Sequence, residues 1–127
     1  MEGNEFVNFT LLLMQAETVE RTEFLVKKML KVCEDADQLA NGVIFSRGVL
    51  QNELAEKLVG LTEEPFHLID IMMRVPELRH RAWRKFITLE PSDMIVSHVL
   101  TISTMSHFAS AELARRNPLP VPPSMAA

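Results

Sequence analysis

The chain has a single cysteine, Cys33, among 127 residues. One thiol forms no internal disulfide, and counting excludes a four-cysteine or Cys2His2 zinc site. Four glycines are too few for a Gly-rich phosphate cradle, and neither a GxGxxG nor a P-loop pattern occurs. Tyrosine is absent and tryptophan occurs once, at Trp83, so the aromatics that favour strands are scarce. No apolar run approaches the roughly 18 residues of a membrane span. The sequence opens Met1-Glu2-Gly3-Asn4-Glu5, acidic where a secretory signal is basic. These absences argue against secretion, membrane insertion and a disulfide scaffold. They set the expectation of an intracellular, cytoplasmic protein, with the nucleus left open.

What is present is an ordinary globular balance, 47% apolar and 24% charged, enriched in methionine (eight) and phenylalanine (seven). At this length one domain forms a core without staples. The net charge is −4, yet residues 1–64 hold twelve acids against six bases and residues 65–127 hold five against seven. The balance argues against a general nucleic-acid binder, and the asymmetry leaves room for a local basic surface.

Periodicity predicts an all-α fold, a compact bundle of five to six helices over residues 1–116, followed by a mobile Pro-rich tail over 117–127. The first helix spans about residues 4–16 and is apolar nearly all round, through Phe6, Phe9 and Leu13. The second runs from Glu17 to Ala40, with Thr18 or Thr22 as cap, Lys27, Lys28 and Lys31 on its polar side, and Asn41-Gly42 as its left-handed stop. Ser46 caps a third helix that ends near Gly60, and Thr62 caps a fourth with Pro65 in its first turn. Along the fourth, Phe66, Ile69, Met72 and Met73 leave only a narrow wet stripe of His67, Asp70 and Arg74. Pro76 turns the chain into a fifth helix reaching about residue 88, and Ser92 or Thr88 starts a last one to Arg116. Val96 to Thr104 is rich in β-branched residues, which leaves a strand over 94–104 open.

Several constellations bear on chemistry. Glu64-x-x-His67 and Glu77-x-x-His80 each place a carboxylate and an imidazole on one helical turn, as in di-iron carboxylate bundles. The motifs are too close in sequence to face one another from separate helices, and His80 lies among cations that repel a metal. His98 and His107 sit half a turn apart around one helix and share no ligand. His67 with Asp70 has the form of a base and its orienting carboxylate, without a nucleophile beside it. Cys33 falls on an apolar stripe, as an inert buried thiol does. No catalytic residue, metal site or cofactor is therefore expected, and the chain reads as non-enzymatic.

Two surfaces are candidates for partners. One is the basic face over residues 74–85, Arg74, His80, Arg81, Arg84 and Lys85, where Glu77 reaches Arg81 at i,i+4. The other is the apolar excess of Phe6, Phe9, Leu13, Phe66, Ile69, Met72 and Met73. Residues 50–64 also resemble the first helix and turn of a helix-turn-helix, with Leu54-Ala55, Gly60 and Thr62. The would-be recognition helix, however, presents Glu63, Glu64 and Asp70 to phosphates, and the Ala55–Gly60 spacing is one residue long. The leading expectation is a protein–protein interaction module, a regulator, adaptor or assembly subunit that self-associates as a homodimer or larger homo-oligomer. The alternative is a nucleic-acid-binding regulator using the basic 74–85 helix and the segment 50–75.

Overall fold

A computed structural model describes residues 7–118. Phe6 and the tail beyond Pro118 lie outside the described residues. The described chain is all-helical, without a strand. It holds eight α-helices, more than the five to six expected: α1 Phe9–Gln15, α2 Val19–Val32, α3 Ala36–Phe45, α4 Gly48–Leu61, α5 Pro65–Arg74, α6 Arg79–Thr88, α7 Asp93–Val99 and α8 Ser106–Arg116. A 3-10 turn, Pro76–Leu78, joins α5 to α6. No helix among these residues is long and apolar enough to cross a membrane. The chain divides into two units, one ending at Glu90 and the other beginning at Pro91, with Glu90 at φ +53° on the junction.

The extra helices come from two breaks. The helix expected over 17–40 stops at Val32, because Cys33 is extended and the Asp35 carboxylate accepts the Gln38 N–H at 3.2 Å to open α3. Asn41-Gly42 does not end a helix; Gly42 lies inside α3. A Cβ there would stand 2.8 Å from Leu54 Cδ1 and 2.9 Å from Met29 Cε, so the glycine lets α2 and α4 approach α3 closely. The left-handed residue is Gly48 instead, at φ +66°. Ser46 does not cap α4 but closes α3, its hydroxyl donating to Gly42 O at 2.6 Å. The expected last helix breaks after Val99, where Thr101 and Ser106 turn their hydroxyls onto the carbonyls of His98 and Ser103. The segment 94–104 is thus helix followed by turns.

Other expectations match the structure. Thr18 caps α2, its hydroxyl accepting the Arg21 N–H at 3.0 Å, and Ser92 caps α7 by accepting the Ile95 N–H at 3.3 Å. Pro65 opens α5, although Glu64 rather than Thr62 is its cap.

In the unit ending at Glu90, helix ends are finished by side chains from other helices. Each terminus leaves orphan N–H or C=O groups that must find partners. Gln38 of α3 accepts the Phe9 N–H at the start of α1, at 2.6 Å. Lys57 of α4 donates to Met29 O and Leu30 O at the end of α2, at 3.3 and 3.0 Å. Gln51 of α4 donates to Val43 O near the end of α3, at 2.7 Å. Lys85 of α6 donates to Val59 O near the end of α4, at 2.6 Å. The core under these links holds Met29, Leu39, Leu54, Leu58, Leu68 and Phe86 fully buried.

In the unit beginning at Pro91, α7 and α8 are joined by a polar clasp. Arg116 donates to Pro91 O at 2.7 Å, to Asp93 Oδ1 at 3.1 Å and to Glu112 Oε2 at 2.7 Å. Asn117 donates to Asp93 Oδ2 at 2.9 Å, and Arg115 reaches Glu112 at 2.6 Å. The guanidinium hydrogen bonds of Arg115 and Arg116 hold the Glu112 carboxyl down at about 2. Asp93 is lowered too, first by the Asn117 hydrogen bond and then by that of Arg116.

Candidate functional site

The expected basic face is divided by its partners. Lys85 points to the end of α4 and is half-buried there. Arg81 pairs with Glu56 of α4 at 3.6 Å rather than with Glu77, because α6 runs beside α4 and brings that carboxylate within reach. Arg79 is half-buried, with its Nε out of water and without a hydrogen-bond partner. Arg74, His80 and Arg84 lie at the surface. Trp83 stacks on Phe86, with ring centroids 5.4 Å apart, so its ring packs rather than standing open for a base.

The apolar set divides in the same way. Phe9, Leu13, Ile69 and Met72 are buried in the chain's own core and offer no surface in this conformation. Phe66 and Met73 remain exposed on α5, two turns apart. On α1 the outward positions are Leu11 and Met14, exposed one turn apart, and Val7, just before the helix, is exposed as well.

His67 takes partners that sequence reasoning did not name. Its Nδ1 lies 2.6 Å from Thr62 Oγ1 and its Nε2 lies 3.0 Å from Asp37 Oδ1. Thr62 Oγ1 also accepts the Glu64 N–H at 3.0 Å. The two ring nitrogens thus bridge Thr62 and Asp37. The hydroxyl, imidazole and carboxylate stand in line, but Thr62 is 0% exposed, so no substrate carbonyl reaches its oxygen. The arrangement ties α3 to the α4–α5 turn. Asp70 is not the orienting carboxylate; burial raises its pKa, against the pull of Arg74 and then His67.

Cys33 is buried, and burial pushes its thiol up, against the hydrogen bond it donates to Asp35 O at 3.7 Å. His98 and His107 fall on different helices, α7 and α8. No group of three or more His, Cys, Asp or Glu that could hold a metal ion occurs among the described residues.

The helix-turn-helix-like pair exists as α4 and α5 with a three-residue turn, Thr62–Glu64. Its second helix presents Phe66, Met73 and Arg74 to solvent, with Asp70 half-buried between them.

A cavity of about 320 Å³ opens between the start of α2 and the α3–α4 turn. Val26 and Leu50 line its apolar part, with Val19 and Phe45 exposed at its edge. Glu17, Glu23 and Arg47 supply charge, and Thr18 and Thr22 supply hydroxyls. Among the described residues the three charged side chains form no ion pair. The sequence separates these residues by up to 33 positions, from Glu17 to Leu50, and only the packing of α2 on α4 brings them together.

The other side of α2 carries Arg21, Phe24, Lys28, Lys31 and Val32, all exposed. The signal for this face is readable in the sequence as an aromatic and a valine eight residues apart with lysines between them. No family model matches the chain, and no match to it is found among curated proteins or solved structures.

Proposed function

We propose that the chain is a non-enzymatic protein–protein interaction module, an adaptor or small regulator, that receives a partner's apolar side chain in the cleft between α2 and the α3–α4 turn. The observation that carries this reading is the cleft itself, about 320 Å³ with an apolar floor and charged residues around it. That volume lies at the lower end of what binding sites use, and an apolar centre within a polar rim is the general anatomy of an interface. The exposed Leu11 and Met14 of α1, with Val7 just before it, extend the reading to self-association.

Photo-crosslinking from position 45 in the native cell, with a matched probe at Arg84, tests the cleft. A partner crosslinked from position 45, absent at position 84 and lost on Val19→Asp with the thermal midpoint retained, is the expected result. Identical crosslinks from both positions would sink the reading. Light scattering that gives the mass of one chain at every concentration would remove self-association.

A further inference from the structure

We propose that the outward face of α2 docks an acidic amphipathic helix of a partner protein. At about 100° per residue, Arg21, Phe24, Lys28, Lys31 and Val32 form one stripe, on the side of α2 opposite Val19, Thr22 and Val26 of the cleft. Phe24 is 56% exposed and Val32 is 55% exposed. Eight residues separate them, about 12 Å along the axis, or two turns. The Arg21 guanidinium lies 5.3 Å from the centroid of the Phe24 ring, which steadies the ring at the surface.

From Phe24 to Val32 the chain reads FLVKKMLKV, with three lysines and no acid. Lys27, Lys28 and Lys31 are exposed and form no ion pair among the described residues. Glu20 lies one turn before Phe24 and Glu23 beside it, while Glu34 and Asp35 follow Val32, Glu34 paired to Lys57 at 3.5 Å. The helix dipole accounts for lysines near the end of α2. It gives no reason for a phenylalanine and a valine left in water between them. Two apolar centres two turns apart, surrounded by cations, complement a helix with apolar residues two turns apart and carboxylates beside them. A phosphate backbone pairs with lysines but has no counterpart for Val32, so protein is the better fit. Because this face lies across α2 from the cleft, the inference stands or falls separately from the cleft's occupancy.

The test titrates the isotope-labelled full chain with a synthetic helical peptide bearing leucines two turns apart flanked by glutamates. A second peptide carries lysines in place of those glutamates. Expected are amide shifts centred on residues 21–32, binding of the acidic peptide about tenfold tighter than the basic one, and a loss of about tenfold on raising salt from low to several tenths molar. K28E with K31E should turn the preference toward the lysine peptide, an exchange that a purely structural role for these lysines would not produce. F24S should weaken both peptides at an unchanged thermal midpoint. Equal binding of the two peptides, shifts centred on Phe45–Leu50, no binding at millimolar peptide, or tighter binding to phosphatidylserine vesicles or duplex DNA each overturns the proposal.

Discussion

Helices α2 and α6 carry similar runs of cations but use them in opposite directions. On α6, Lys85 completes the end of α4, Arg81 meets Glu56, and the Arg79 Nε is withdrawn from water. On α2, Lys27, Lys28 and Lys31 stay at the surface beside exposed Phe24 and Val32. What separates the two is the neighbour each helix has. A cation beside the open end of another helix finds carbonyls to satisfy and becomes part of the fold. A cation on a face turned to solvent keeps its charge for whatever arrives. Charge density along a helix therefore does not by itself identify a binding face.

The sharpest way to break this comparison is to remove the inward cations. Lys85→Met and Lys57→Met each leave helix-end carbonyls without their charged donor, and each should destabilise the chain by about 2 kcal/mol in denaturant unfolding. The same substitution at Lys28 should change stability by less than about 0.5 kcal/mol. If Lys85 and Lys28 cost the same, the division between the two helices is wrong.

The clasp between α7 and α8 extends the contrast to pH. Glu112 is held at about 2, below its ordinary 4.5, by the hydrogen bonds of Arg115 and Arg116. A depressed carboxyl contributes stability above its unfolded value, and that contribution is lost as pH falls from about 4.5 toward about 2. Carboxyl NMR titration of Glu112 should show the low midpoint, and Arg116→Gln should move it back up. An ordinary midpoint in the unaltered chain would remove the clasp from the account.

Smaller effects separate the remaining α6 cations. Arg79→Met keeps most of the stem and deletes a buried donor that has no acceptor. It should leave the protein unchanged or more stable, by up to about 1 kcal/mol in thermal unfolding. Loss of a whole kcal/mol or more would show that Arg79 has an acceptor after all. Arg81→Gln gives up an ion pair whose side chains are half in water, so its effect should fall below about 0.5 kcal/mol.

The all-helical class was legible because apolar spacing on α2, α4 and α5 is set by burial on one face, which sequence displays directly. Caps that act locally were legible too: Thr18 and Ser92 close onto N–H groups three residues ahead. The misplaced boundaries have tertiary causes. Asn41-Gly42 carries a stop signal, yet Gly42 is needed where Leu54 and Met29 leave no room for a Cβ, a fact that lies on other helices. The candidate sites were less legible for the same reason. Lys85 looks like a surface cation until α4 ends beside it, and His67 looks like a partner of Asp70 until α3 delivers Asp37. Phe24 and its lysines were visible in sequence, but their meaning depended on knowing which side of α2 is covered.

The links between helix ends also impose an order in time. Gln38 finishes α1, Gln51 and Lys57 of α4 finish α3 and α2, and Lys85 finishes α4. Each of these long-range links comes from a residue made later than the group it serves, between 8 and 29 positions downstream. On a ribosome, where the chain emerges from its amino end, the Val59 carbonyl near the end of α4 gains its Lys85 donor only once α6 has been made. A nascent chain stopped before residue 85 holds most of the apolar core without its last fastener, so cooperativity should appear late in synthesis rather than grow with each helix added.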